Sequence, residues 1–253
     1  MLEAAFNFVR PATPVAVSSA DSSSESVTPL SKLPNFDPHT VPVTGVDAHL
    51  PAVPAAQLQP EALRRRFHAP PTWQPEVRME PRFTQRQPVA AAVLVPVVAH
   101  TRPTLLLTQR TTHLANHSGQ IAFPGGKVDD TDVDAIDAAL REAEEEVGLA
   151  RDFVQVLGTL PIYTTGSAFI ITPVVALVRP GFTLTPNAGE VADVFEVPLD
   201  FLMNPAHHRR HSLLAEGLRR EWFSMPYQDG DIERFIWGAT AGMLRNFYRF
   251  LAA

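Results

Sequence analysis

Arg141-Glu142-Ala143-Glu144-Glu145-Glu146-Val147-Gly148-Leu149 packs more acidic charge into nine residues than a helix readily tolerates, and its reading decides the fold. At about 100° per residue, Ile136, Leu140, Ala143 and Val147 share one narrow stripe, which must be the buried side. Glu142, Glu145 and Glu146 occupy a separate arc of about 100°, while Glu144 points elsewhere. Carboxylates at i, i+3 and i+4 repel, each pair costing on the order of a few tenths of a kcal/mol in an isolated helix. Arg141, four residues before Glu145, offsets part of this. The remainder is understandable if a hard divalent cation sits there, since Mg²⁺ prefers carboxylate oxygens and shares its shell with substrate phosphates. The nonapeptide alone is equally compatible with a solvated acidic face.

Working outward, the helix is expected over Val133 to Val147, with Asp130, Asp132 and Asp134 at its positive end and Gly148 as its stop. Upstream, Phe123-Pro124-Gly125-Gly126-Lys127 reads as a glycine turn leading toward it. The Gly125–Gly126 pair lets backbone approach a ligand closely, its carbonyl and N–H groups serving a metal and a phosphate oxygen. Strands are expected at Ala90 to Val98, Thr104 to Arg110 and Gly119 to Phe123, split first by a turn at residues 100–103. Others follow near 154–160, 169–178, 191–197, 220–225 and 233–236, with a last helix over 239–251. Strands before and after a central helix, without regular βαβ alternation, predict an α+β layered fold.

At this point the sequence resembles the Nudix hydrolase superfamily, whose box reads G-x5-E-x7-R-E-U-x-E-E-x-G-U with U apolar. Gly126, Arg141, Glu142, Ala143, Glu145, Glu146, Gly148 and Leu149 match it. The isolated Glu of the box is matched by Asp132, with eight residues rather than seven before Arg141. The block Leu106-Leu107-Thr108-Gln109-Arg110 through Gly119 to Phe123-Pro124-Gly125-Gly126 resembles the coenzyme A pyrophosphatase branch, and so does Trp237-Gly238-Ala239-Thr240-Ala241. A basic residue of that branch is replaced by Ala115 and Asn116. The resemblance implies a mixed β-sheet layered between helices, with Mg²⁺ or Mn²⁺ held by Glu142 and Glu146 and shared by Glu145. It implies that Arg141 orients a carboxylate. It also implies hydrolysis of coenzyme A or acyl-coenzyme A to 3′,5′-ADP and a 4′-phosphopantetheine product. ADP-ribose, dinucleotides and nucleoside triphosphates are the rival substrates, and a nucleotide sensor without turnover is the rival class. Glu190 stands where many members carry a late acidic residue, as base, added ligand or solvated turn residue. Arg110 and His117 are candidates for phosphate contacts, with Gly125 and Gly126 beside them. Family analogy also suggests a homodimer.

Residues 1–87 read as a proline-rich, partly disordered extension, and 88–253 as the catalytic domain. Prolines recur from Pro11 to Pro81 and exclude long helices or central strands there. Residues 60–67 are the one amphipathic helix candidate, its three arginines reading as a solvated face more readily than a phosphate contact. The chain has 253 residues, 45% apolar and 19% charged, enough for a sizeable core. A net charge of −6 argues against gripping nucleic acid polymers, though not against a small phosphorylated substrate met by a cation. With no cysteine, thiolate chemistry and zinc–sulfur sites are excluded. Neither a signal peptide nor an apolar run of roughly 20 residues is apparent, so a cytoplasmic protein without a membrane partner is expected. His207-His208-x-x-His211 reads as a polar loop beside Arg209 and Arg210, and Phe247-Tyr248-x-Phe250 as core or dimer packing.

Overall fold

The computed structural model describes residues 28, 30, 33, 36–111 and 119–253. Its centre is a pair of long apolar strands, β2 (Val89–Val98) and β8 (Phe169–Val178), paired in parallel along their whole length. Parallel pairs of this kind are covered on both faces, which is why both segments read as near-continuous runs of Val, Ala, Leu and Ile. Around them lie β3 (Thr104–Arg110), β4 (Ile121–Ala122), β5 (Gly125–Lys127), β6 (Val154–Thr159), β7 (Tyr163–Thr164) and β9 (Val191–Pro198). The path runs β4-β3-β2-β8-β6, with β5 also on β2, β7 on β8 and β9 on β3. A second sheet, β1-β10-β11-β12, comprises Val43–Val46, Arg209–Ala215, Leu218–Asp229 and Ile232–Trp237. This is the expected α+β architecture.

Alternate residues of β2 feed two cores. Ala92, Leu94 and Val98 meet Ala138, Ala139, Ala143 and Val147 of helix α2 (Ala135–Val147). Ala91, Val95 and Val97 face the other way, toward helix α1 (Pro60–His68), the second sheet and helix α4 (Gly238–Ala252). Phe247, Tyr248 and Phe250 of α4 are part of that core. The short helix α3 (Leu199–Leu202) closes its end.

Three expectations need correction. The glycine turn is strand β5, pairing Ala92 with Gly126 and Val93 with Gly125. The polar loop around His211 is strand β10, and His208 and His211 are both buried. Alternation was hidden there because inward positions carry histidine rather than an aliphatic residue. Nor does packing begin at residue 88: Val41, Val53, Leu58 and Leu63 are buried in the main core. Among the described residues, this proline-rich front segment holds one four-residue strand, one 3-10 turn (Ala55–Gln57) and one nine-residue helix, yet isolated apolar anchors suffice to dock it. Arg66 of α1 donates to Leu251 O at 2.8 Å, so that arginine ties helix ends together.

Charge reinforces the docking. Arg245 of α4, 1% exposed, reaches Asp47 at 2.8 Å and Glu76 at 2.7 Å, and Arg210 of β10 meets the same two carboxylates. Arg245 also donates to His208 Nδ1 at 3.1 Å, while His208 Nε2 donates to Leu202 O at 2.7 Å. That tautomer leaves no room for a second proton. Burial pushes the His208 pKa down to about 4, with the Arg245 charge adding to the effect. The unfolded chain takes up this proton near 6.5, so the stability conferred is full above that value and drains as pH falls toward 4. His207 and His211, also lowered by burial, act in the same direction. Between about pH 7.5 and pH 5, His208 alone is expected to remove about 2 kcal/mol of unfolding free energy. Urea titrations of the wild type and His208→Gln check this, the variant having the flatter pH dependence.

Candidate active site

Helix α2 begins and ends on side-chain logic. Asp134 caps it, accepting from Ile136 N and Asp137 N, and Gly148 stops it in the left-handed region at φ 71°. Between these caps the acidic arc splits into an inner and an outer part. Glu146 is buried and Glu142 half-buried, whereas the Glu145 side chain is 60% exposed. Glu144 is exposed on a different face, 3.6 Å from Arg151.

The two inner carboxylates lie against the glycine strand. Gly125 N–H donates to Glu146 Oε2 at 3.0 Å. A Cβ on Gly126 would sit 2.5 Å from the Glu142 carboxyl, and one on Gly125, at φ 154°, would strike the backbone of Ala92 and Val93. Only glycine permits this approach at either position. The Gly125 N–H is therefore engaged by Glu146 and is not free for a phosphate, contrary to the expectation.

Arg141 organises the rest. Its Nε and Nη2 donate to Asp132 at 2.8 and 2.9 Å, its Nη2 to Lys127 O at 3.1 Å, and its Nη1 to Glu142 and Glu145, each at 3.1 Å. The fork holds the Asp132 carboxyl down to about 2, and Asp129 N–H donates to it as well. Arg141 is itself held more firmly protonated by Asp132. Asp132 thus supports the site through Arg141, despite the one-residue-longer spacing between them. The signal was present: an acid separated from Gly126 by five residues. Asp, one methylene shorter than Glu, and one added residue in the loop reach the same partner.

Burial pushes Glu146 up to about 7, with Glu142 and Glu190 adding to the rise and Gly125 and Arg110 opposing it. Burial likewise raises Glu142, helped by Glu145 and Glu190 and opposed by Arg141. Glu190 follows the turn at Asn187 and is close enough to act on both. Arg110, at the end of β3, lies 3.6 Å from Glu146. His117 lies outside the described residues, as do Ala115 and Asn116. Among the described residues, no three carboxylate or imidazole side chains converge as a preformed ligand set. Glu142 and Glu146 are brought together, and Arg141 keeps Glu145 on the rim.

A box of acidic residues on one helix, clamped by an arginine and facing a glycine strand, invites comparison with known proteins. The sequence profile of the NUDIX domain matches residues 87–217. The chain belongs to the Nudix hydrolase family. It is 42% identical over 173 residues to the uncharacterized Nudix hydrolase NudL of Shigella flexneri serotype 5b, covering 68% of this chain and 85% of that protein. It is 44% identical over 157 residues to NudL of Escherichia coli strain K12, covering 62% and 79%. Among solved structures, a C. elegans Ap4A hydrolase complex aligns over 47% of this chain and 85% of its own at 22% identity, with a TM-score of 0.38. Membership rests on the sequence relatives. Nudix hydrolases generally use divalent metal ions, and the family acts on small nucleotide substrates. No helix among the described residues is long and apolar enough to cross a membrane.

The Nudix box makes the Arg141 clamp testable. Asp132→Ala leaves helix α2 capped but frees the guanidinium, and is expected to cost roughly 10- to 100-fold in turnover, as losses of ligand-orienting partners do. Glu144→Ala, on the outer face, is expected to stay within twofold of wild type. Steady-state assays of both, beside unfolding midpoints, read the difference; equal damage from the two would contradict the division of the helix into faces.

Proposed function

We propose that this Nudix hydrolase cleaves the diphosphate linkage of coenzyme A or acyl-coenzyme A, giving 3′,5′-ADP and the corresponding 4′-phosphopantetheine. The observation that carries the hydrolytic reading is the pairing of Glu142 and Glu146 against Gly125 and Gly126, both acids raised by burial first, with neighbouring carboxylates adding to the rise. Such a donor set fits a hard divalent cation: oxygen ligands, excess negative charge, and room for substrate oxygens to complete the shell. Mg²⁺ or Mn²⁺ would be held by Glu142 and Glu146, with Glu145 at the rim. When bound, the ion neutralises phosphate oxygens and lowers the pKa of water, the two obstacles to diphosphate hydrolysis.

The chain's own residues do the positioning. Arg141, locked by Asp132 and Lys127 O, fixes the Glu142 carboxylate; Gly125 N–H fixes that of Glu146. Arg110 presents its guanidinium beside Glu146, where it binds a diphosphate oxygen. A carboxylate oxygen of Glu190 accepts the proton of the attacking water. The coenzyme A reading is supported by the Leu106-Leu107-Thr108-Gln109-Arg110 element, which the β3–β9 pairing places so that Arg110 ends beside Glu146. A sensor without turnover is disfavoured because all three acids of the helix are retained.

Turnover of coenzyme A, ADP-ribose, a dinucleotide and a nucleoside triphosphate with Mg²⁺ or Mn²⁺ should show coenzyme A with the highest kcat/KM. A faster rate on another substrate displaces this choice. Glu146→Gln is expected to lose at least about 1,000-fold in kcat while remaining folded. Glu190→Gln should lose turnover with Mn²⁺ affinity retained, as a base would. Loss of both would make it a ligand, and loss of neither a turn residue.

A further inference from the structure

A cavity of about 760 Å³ opens beside the two carboxylates. Arg110 and Gly125 belong to both places: each lines the cavity and each contacts Glu146. Away from that mouth the walls are largely apolar, among them Val93, Phe123, Phe169, Ile171, Phe223 and Met243. Much of the far wall lies outside residues 87–217, coming from residues 76–83, β11 and the first turns of α4. The segment 76–83 is pinned there: Val77 N–H donates to Asn246, and Glu80 accepts from Tyr163 OH and Gly166 N–H.

Polar residues interrupt this lining, and two of them carry an unpaired donor. Arg220 Nε and Trp222 Nε1 are buried side-chain atoms without a hydrogen-bond partner among the described residues, and both side chains line the cavity. Arg220 is 5% and Trp222 9% exposed. Neither is loosely held. The Trp222 ring is stacked on His211 at 8° and edged by Phe36 and Trp237, and the other nitrogens of Arg220 bond Thr28 O and Glu216. Unpaired donors at the wall of a largely apolar cavity favour a ligand that brings more acceptors than donors.

We infer that this cavity receives the second arm of the diphosphate substrate, and that Trp222 and Arg220 select a long, flexible arm, apolar along its length but bearing carbonyl oxygens. A chain of amide or thioester carbonyls joined by methylenes has this character, whereas the second sugar of ADP-ribose or a dinucleotide brings many hydroxyl donors into an apolar space. The inference rests on the diphosphate-hydrolase reading above and adds the residues that choose the substrate. Trp222 and Arg220 act on specificity, at a distance from the reacting phosphorus.

The test separates the arm from the chemistry. Titration calorimetry without metal, using pantetheine as the probe, should show binding to the full-length protein that Trp222→Phe weakens roughly three- to tenfold. In turnover, the same variant should lower the kcat/KM ratio of coenzyme A to ADP-ribose by a similar factor, acting through KM. Ala239→Phe fills the cavity from the first turn of α4 with both donors in place, and should weaken pantetheine binding as well. Pantetheine that fails to bind, or binds the wild type and both variants alike, overturns the inference, as does a parallel fall on both diphosphates. If coenzyme A is not cleaved yet pantetheine binds and responds to Trp222→Phe, the proposed reaction fails while the arm site stands.

Discussion

The site depends on one buried contact, the Glu146 carboxylate held under the Gly125 N–H at 3.0 Å. An acid on helix α2 and a backbone amide on strand β5 meet only if the helix packs flat on β2 and β5 is hydrogen-bonded to that same strand. Ala92 serves both requirements, packing in the core beneath α2 and pairing with Gly126 in the ladder. A larger residue there would lift the helix from the strand. Small residues on the helix, Ala138, Ala139 and Ala143, complete the close approach. The alanines that look featureless in sequence set the distance at which the glutamates work.

That closeness carries an electrostatic cost, and the arrangement of arginines shows how it is managed. Arg141 is satisfied by Asp132 before it turns to Glu142 and Glu145, so it steers those carboxylates without fully neutralising them. Arg110 stands 3.6 Å from Glu146, near enough to bias its charge and too far for a strong hydrogen bond. Burial disfavours charge on both inner acids, and the neighbouring carboxylates add to the rise, so neither guanidinium fully offsets the cost of ionising them. A net charge of −6 over the chain is thus no obstacle to an anionic substrate, because the field that matters is local and a cation reverses its sign.

The legible parts of the sequence were those where one physical rule acted alone. Helix α2 was readable because its period, its Asp134 cap and its Gly148 stop agree. β2 and β8 were readable because doubly covered strands are almost purely apolar, and β3 because its Leu105-Leu106-Leu107 run follows a turn. β10 was missed because its one buried position is His211, whose polarity is satisfied by Val41 O and Ser224 only in the folded chain. The front segment was missed for a related reason: proline content predicts which elements cannot form, and says little about docking through single anchors such as Leu63. At the site, helical geometry grouped Glu142, Glu145 and Glu146 without revealing that Arg141 holds Glu145 at the rim. The box spacing placed Asp132 in sequence without revealing its partner, because the reach of the Arg141 guanidinium across the longer loop is a matter of three dimensions. Trp222 and Arg220 carry no local pattern at all, since what distinguishes them is one nitrogen each, Nε1 and Nε, without a hydrogen-bond partner among the described residues.

This contrast between readable and unreadable residues follows a division of labour in the fold. The acids, their clamp and the glycine strand lie close together in sequence and obey rules of helix and strand geometry. The cavity wall is assembled from residues 76–83, β11 and α4, joined across the chain by the Asp47–Arg245–Glu76 knot and by Asn246 on Val77. Fixing that wall needs rigid, buried ionic contacts, because apolar packing alone would let a proline-rich segment slide. Arg245 supplies the rigidity: its planar fork fixes two carboxylates from the front of the chain at once, and a point charge such as lysine offers no equivalent geometry. In the proposed reaction the chemistry is local and the choice of substrate is long-range. The second is therefore the property most easily altered without touching the first.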